Sequence, residues 1–519
     1  MTLPLLTRRH FIAASGTAAA ALPFAPGMAH AAGGTVRVRA PVDIQTLDPA
    51  FTYTNYESNL NRALLLQLIA WTTHMSWDWE KDAAAMIEQV DPTHVKFALR
   101  DDIGWNNGFG PVTAEDVKFS FERIIDPGLA SPYSADWAAL DRIEVTGERE
   151  GVIVMKQPFA PLWLSTLPGI SGFILCKKAV EALPGARVET EMPAVAGPYK
   201  VKEWLPKQKM TIVPNESFTM GKAAYDEMVF YPVDDDRVAE LAFEAGEYDY
   251  CAVSVSSVPA LREKRPEGSI LLECAALDYY WLGMNTEHAN FQDRRVRQAV
   301  QYAVDVPAVL EAAFFGVVER ATGFQTKGSM GYRERNIVAE RDVEKAKALM
   351  AEAGVEGFKA TITLVNTSLF TSMAQVIQAN LAEIGIEVEI LPYDSGTFWN
   401  LGLESEGETY KDLQMFLHQY TGLPDPNFQT QWFVPEQVGV WNWERWNSPE
   451  YKALNEQQLS EFDEAKRGAI VQKMQDLMEE SGAYLFLTNS LNPVLYRDTL
   501  SPCVLPSGNN LYFPGFKPA

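Results

Sequence analysis

The chain has 519 residues, 47% of them hydrophobic and 22% charged, with a formal net charge of −24 and an isoelectric point near 4.8. That length exceeds one small core and suits two or three domains, and the composition is that of a globular protein rather than a disordered one. So large an excess of acid argues against nucleic acid and against an anionic membrane surface, because either partner requires a basic face.

Residues 1–31 read as an export signal. Thr7, Arg8, Arg9 and Phe11 stand where twin-arginine signals place such residues, an Ala-rich run follows, and Ala29-His30-Ala31 offers an A-x-A cleavage site. The apolar run is too short to span a bilayer, and no later segment reaches the ~18 apolar residues a span needs. With no cysteine near the cleavage site, the expected product is a free periplasmic protein without a lipid anchor. Cys176, Cys251, Cys274 and Cys503 are scattered, with no C-x-x-C pair. Four cysteines allow three full pairings, and the spacing does not choose among them; export in the folded state favours buried free thiols.

Strands and helices alternate along the remainder. "TVRVRAPV" predicts a strand with Val36, Val38 and Ala40 on one side, and "THVKFALRD" predicts another through Val95, Phe97 and Leu99. "TAEDVKFSFERII" predicts a helix with Thr113 as N-cap and Asp116 at N3. "FQDRRVRQAVQYAVD" crowds Arg294, Arg295 and Arg297 together, but Val296, Ala299, Val300 and Ala303 recur at helical spacing. With Asp293 as N-cap, that segment reads as a helix on a core, not an anion site. "DVEKAKALMAEAG" predicts a helix capped by Asp342 and stopped at Gly354. A further helix is expected to end at Gly385, before a strand through Ile386, Val388 and Ile390. From Ser448-Pro449 a long helical region is expected to reach about Ser481, followed by "YLFLT" as a buried strand. The alternation predicts an α/β protein.

No arrangement that chemistry would need is present. The sequence lacks G-x-S-x-G, H-E-x-x-H, a Walker loop and G-x-G-x-x-G. His74, His94, His288 and His418 are not spaced to share a metal on one helix, and Asp234-Asp235-Asp236 follows Pro232 as a surface turn would. No enzyme, metal or cofactor is expected.

Several blocks taken together resemble one family. They are "QTLDPA" (45–50), "HVKFALRDDIGWNNGFGPVTAEDVKFSFERI" (94–124), "AGPYKVKEW" (196–204) and "DRRVRQAVQYAVD" (293–305), supported by "QANLAEIGIEVEI" and "NSPEYKAL". In this order they are similar to the bacterial extracellular solute-binding proteins of the oligopeptide, dipeptide and nickel type (family 5). These proteins bind a solute in the periplasm and deliver it to an ATP-binding-cassette (ABC) importer. The resemblance implies a two-lobed, type II periplasmic-binding-protein-like fold of the large, three-subdomain variety. Lobe I would combine 33–74, 189–282 and 489–519, with 75–188 as an extra subdomain, and lobe II would be 283–488. Crossings near "YYWLGMNT" and "YLFLTNS" would form the hinge. The implied partners are a small-molecule ligand and the inner-membrane ABC permease subunits, with the protein a monomer.

Peptide binders of this family tend to hold the ligand's ammonium with the first aspartate of "W-x-x-D-x-x-D/E-P". Aligning "QYTGLPDPNF" on Asp425-Pro426 puts Gln419 at the tryptophan and Gly422 at that aspartate. A desolvated ammonium needs a paired charge, and Gly422 supplies none. Aromatic and amide side chains crowd the expected cleft loops, which suits sugar rings or opine-like conjugates. The candidate ligand residues are Tyr53, Asn55, Tyr280, Trp281, Trp399, His418, Gln419, Tyr420, Gly422 and Trp441. The expectation is a sugar-like, opine-like or amine-blocked solute. The alternatives are a di- or oligopeptide binder of the same family, or an enzyme or sensory module on this fold.

Overall fold

The computed structural model describes residues 34–52, 54–72, 77–189 and 191–519. Tyr53, His74 and the export signal expected over residues 1–31 lie outside the described residues.

Three sheets organise the chain. The first strand, Thr35–Ala40, takes the middle of a seven-stranded sheet, parallel to Glu227–Pro232 on one side and to Tyr250–Ala252 on the other. Leu491–Arg497 returns from the C-terminal end and inserts antiparallel between Tyr250–Ala252 and Ser269–Ala275. Val36, Val38 and Ala40 are buried as their alternation predicts, but Arg39 is only 1% exposed too. Its guanidinium donates to the carbonyls of Val233, Ala252 and Asp234 and pairs with Asp236 at 2.8 Å. A charge is tolerated there because every part of it is bonded.

A four-stranded antiparallel sheet, Ala84–Asp91, His94–Leu99, Glu150–Met155 and Leu140–Val145, carries the helix Ala114–Ile125. The expected cap is in place, with the Thr113 backbone N–H donating to Asp116 Oδ2 at 2.9 Å. The "QTLDPA" block fastens this layer to the first one. Arg123 of that helix donates to Asp48 Oδ1 at 2.7 Å and Oδ2 at 3.1 Å, and both side chains are buried.

The third sheet has five strands, ordered Ile386–Tyr393, Phe358–Val365, Met415–Tyr420, Tyr279–Met284 and Tyr484–Thr488. One face packs on the helices Arg294–Ala303, Val306–Phe314 and Ser368–Ala382, and the other covers an aromatic core. The arginine-rich helix is capped by Asp293, which accepts from the Arg295 N–H at 2.8 Å. Arg297 is buried and donates to Phe291 O at 2.5 Å and to Ser481 O at 2.7 and 3.0 Å. It ties its helix to the end of a distant one and is not available to an anion. The helical region expected from Ser448 to Ser481 is two helices, Pro449–Ser460 and Glu464–Glu480. Asp463 interrupts it by capping the second through the Lys466 N–H at 3.0 Å.

The chain passes between the seven- and five-stranded sheets at 276–278 and again at 489–490. The boundary expected after residue 282 falls inside Tyr279–Met284, which pairs with Met415–Tyr420 along its whole length. The two passes touch where the Ala276 N–H donates to Ser490 O at 3.4 Å. All four cysteines are free thiols, three of them buried. Among the described residues no helix is long and apolar enough to cross a membrane.

Candidate functional site

A cleft of about 700 Å³ opens between the two large sheets beside those passes. On the first-sheet side the helix Asn55–Leu64 begins in it, capped by Thr54 in a capping box with Glu57. Glu57 also accepts from the Gln45 N–H at 2.7 Å, so the "QTLDPA" turn and this helix start hold one another. Opposite stand Phe314 and Phe315, at the end of one helix, and Ser368 and Ser372, in the first turns of another. Tyr280 lines the cleft at the crossing, where burial pushes its hydroxyl pKa upward.

The charge of the lining is distinctive. Among the described residues Arg39 and Asp236 are its charged side chains; they pair with each other at 2.8 Å, and Arg39 also donates to backbone carbonyls. The remaining polar groups are hydroxyls, phenols and amides, including Ser490, Asn492 and Asn509. Such a wall can direct hydrogen bonds to a polar solute, but it offers no free charge.

The sequence-predicted residues divide by strand alternation. Asn55 and Tyr280 line the cleft. Gln419 pairs with Tyr280 across adjacent strands and shares its face. Trp281, His418 and Tyr420 project from the opposite face, because side chains alternate along a strand. They are buried in the aromatic core of the second lobe and do not line the cleft. Trp281 Nε1 donates to Glu444 Oε1 at 2.7 Å, and the Tyr420 hydroxyl donates to Trp441 O at 2.9 Å. His418 lies among Trp281, Phe398, Phe416 and Trp443, where burial pushes its pKa down to about 3. Trp399 and Trp441 are half-buried at the edge of that core, their ring centroids 6.4 Å apart.

Gly422 is held by close approach. A Cβ there would sit 2.3 Å from Leu277 O and 2.8 Å from Gln429 Nε2. The serines of residues 254, 368, 372 and 490 escaped the sequence reading, since single serines at helix starts and crossings carry no periodic signal.

The sequence profile of bacterial extracellular solute-binding proteins, family 5 Middle, matches residues 80–439. The dipeptide-binding protein of Escherichia coli (strain K12) is 25% identical over 423 residues, covering 76% of this chain and 77% of that protein. Among solved structures, the ABC transporter substrate-binding protein CtaP from Listeria monocytogenes superposes with a TM-score of 0.82 at 19% identity, covering 94% of this chain and 100% of that one. The binding protein AgaA from A. tumefacien R10, solved in complex with agropinic acid, gives a TM-score of 0.73 at 22% identity over 94% of this chain and 99% of its own. These likenesses share the two-lobed α/β architecture built here from three sheets, and the match spans most of the chain: it belongs to the bacterial extracellular solute-binding proteins of family 5.

Proposed function

We propose that this protein captures a small polar solute without a free ammonium group, of the sugar-like, opine-like or amine-blocked kind, and hands it to an ABC permease. The observation that carries the reading is the cleft lining, whose one cation and one anion neutralise each other. A desolvated ammonium on the ligand would find no unpaired acid among the described residues of that lining, at a cost of several kcal/mol. Gly422, which carries no acid, and Asp425, whose buried carboxylate is paired with Arg467 at 2.6 Å, argue the same way, and the agropinic acid complex of AgaA is an opine-type precedent on this fold. Delivery to the periplasm through the twin-arginine signal of residues 1–31 belongs to the same proposal. So does a division into lobe I (33–74, 189–275 and 491–519, with 75–188 as a subdomain) and lobe II, hinged at 276–278 and 489–490. Closure of the lobes over solute would produce the form a permease recognises.

A peptide-binding reading has one observation in its favour. Asp278 is a largely buried carboxyl two residues before Tyr280, accepting from Thr421 Oγ1 at 2.5 Å, and burial raises its pKa. Next to Leu277, which contacts Gly422, it could serve as a relocated partner for a ligand's ammonium.

Thermal denaturation against sugars, opines, N-acetylated peptides and the matching free peptides tests the proposal. A ligand at ~100 times its dissociation constant stabilises by roughly 2.7 kcal/mol. Stabilisation by blocked or amine-free compounds is expected. Stabilisation by free peptides alone, abolished by Asp278→Asn, establishes the peptide reading instead, and steady consumption of the stabilising compound would indicate an enzyme.

A further inference from the structure

A second cavity, of about 270 Å³, lies inside the first lobe and shares no lining residue with the cleft. It forms where the helix Asn55–Leu64 meets the short strands Leu66–Gln67 and Ile69–Trp71 and the C-terminal segment around Leu505 and Tyr512.

Arg62 lines this cavity and is 7% exposed. Nη1 donates to Asn59 Oδ1 at 2.9 Å, while Nε and Nη2 are buried and have no acceptor among the described residues. The guanidinium lies over the Trp71 ring, 4.6 Å from its centroid, a contact that compensates only part of its lost hydration. With no carboxylate beside it, burial pulls its pKa down to about 9. Lys81 and Arg100, the other cations of the lining, are already engaged, Lys81 with Ala85 O at 3.0 Å and Arg100 with Asp102 at 3.1 Å.

Asp82 lines the same cavity. Its Oδ2 accepts from the Gln67 N–H at 2.8 Å, and burial raises its pKa to about 7. No hydrogen bond or ion pair joins Asp82 to Arg62 among the described residues. A free guanidinium edge and a carboxyl therefore share one small space whose lining is mixed: Glu80, Lys81 and Arg100 add further charge, and Leu65, Phe173 and Phe218 supply an apolar wall.

Buried cations are normally paired, because leaving one unpaired costs several kcal/mol. Nε and Nη2 form the side-on edge of a guanidinium that matches the two oxygens of a carboxylate. The volume falls below the roughly 300–1,000 Å³ of sites for drug-sized ligands, which favours something smaller than a peptide. We propose that this cavity binds a small apolar α-amino acid. Its carboxylate accepts from Nε and Nη2 of Arg62, its ammonium donates to Asp82, and its side chain lies against Leu65 and Phe173.

Isothermal titration of the whole protein with L-leucine, L-leucinamide and N-acetyl-L-leucine tests this. The amide lacks the carboxylate, and the acetylated form lacks the ammonium. Leucine is expected to bind with both derivatives at least ten-fold weaker. Arg62→Gln should abolish binding, and so should Ala70→Phe, which fills the cavity while leaving Arg62 in place; matched melting curves identify a variant that has failed to fold. Ser372→Trp, which obstructs the interlobe cleft, should leave leucine affinity unchanged. Absence of leucine binding overturns the proposal. So does binding that survives Ala70→Phe in a folded protein, or binding lost in folded Ser372→Trp, which would place the amino acid in the cleft.

Discussion

Arg467 grips Asp425 through both terminal nitrogens, at 2.6 and 2.7 Å, with 3% and 0% of the two side chains exposed. Asp425 is the acid of the Asp-Pro pair on which the ammonium-binding motif aligns, so this contact decides whether it is free to hold a ligand. It is not. Arg467 also donates to Gln458 O and Oε1, and Asp425 Oδ1 accepts from the Asn427 N–H at 2.8 Å. The pair is a clamp between the strand-to-helix turn and the helix Glu464–Glu480.

Breaking a buried pair from one side leaves the other charge stranded, which costs roughly 3–5 kcal/mol. Asp425→Asn is therefore expected to lower unfolding stability by about that amount. The double variant Asp425→Asn/Arg467→Met should lose less than the single, because no orphaned cation remains. Urea unfolding of the wild type, both single variants and the double variant measures this. A double variant that equals the sum of the singles would show that the two side chains do not act as a pair.

Gly422 invites an obvious experiment, Gly422→Asp, to restore the missing acid. The geometry predicts that it fails. Any Cβ at this position lies 2.3 Å from Leu277 O, and that carbonyl belongs to backbone at the crossing between lobes. Forcing atoms into filled space costs typically 1–3 kcal/mol. Gly422→Ala should thus lower the melting temperature without adding any polar group, and Gly422→Asp should do the same without gaining peptide affinity. Calorimetry of both variants beside peptide titrations checks it. Tight peptide binding by a fully stable Gly422→Asp would show that the backbone yields.

Burial raises the Glu444 pKa to about 8, against an ordinary value of 4.5. The folded protein then binds more protons than the unfolded chain between those values. Stability must fall as pH rises from about 4.5 to 8 and level off above. Glu444→Gln keeps an acceptor for Trp281 Nε1 and removes the titration. The variant should match the wild type near pH 5 and be the more stable of the two at pH 9. Asp82 and Asp136, raised to about 7 and about 6, slope the same way in both proteins, so the difference between the two curves isolates Glu444. Parallel curves across that range would contradict a neutral Glu444 at pH 7.

Elements with strong periodicity were legible in the sequence, because their pattern is the burial itself. The caps at Thr113, Asp293 and Asp342 and the buried strands Tyr279–Met284 and Tyr484–Thr488 are of this kind. The face on which a residue stands was less accessible. Trp281, His418 and Tyr420 were expected on cleft loops but stand on strands, where a shift of one position reverses a side chain's direction, and both faces of this sheet are apolar. Alternation therefore could not separate the cleft side from the core side. Arg467 is another limit: its pairing with Asp425 spans 42 positions, and nothing in either local stretch announces it.

The neutral cleft leads to the last prediction. Ser372 lies in the second turn of the helix Ser368–Ala382, lines the cleft and is half-buried, so its side chain can be enlarged without entering a core. Ser372→Asp places a carboxylate near the positive end of that helix, where it is tolerated, so the melting temperature should change little. Without ligand the new charge stays hydrated. On closure over a solute without a free amine it would be desolvated with no cation to meet it, since Arg39 is already committed to Asp236 and three carbonyls. Affinity for the wild-type solute is expected to fall ten-fold or more, about 1.4 kcal/mol. Compounds with a free amine should gain relative to their blocked forms. Titration calorimetry of one matched pair, a free peptide and its N-acetyl derivative, against both proteins reads out the reversal. Unchanged affinity of the blocked ligand in Ser372→Asp would mean that the solute sits elsewhere than between these walls.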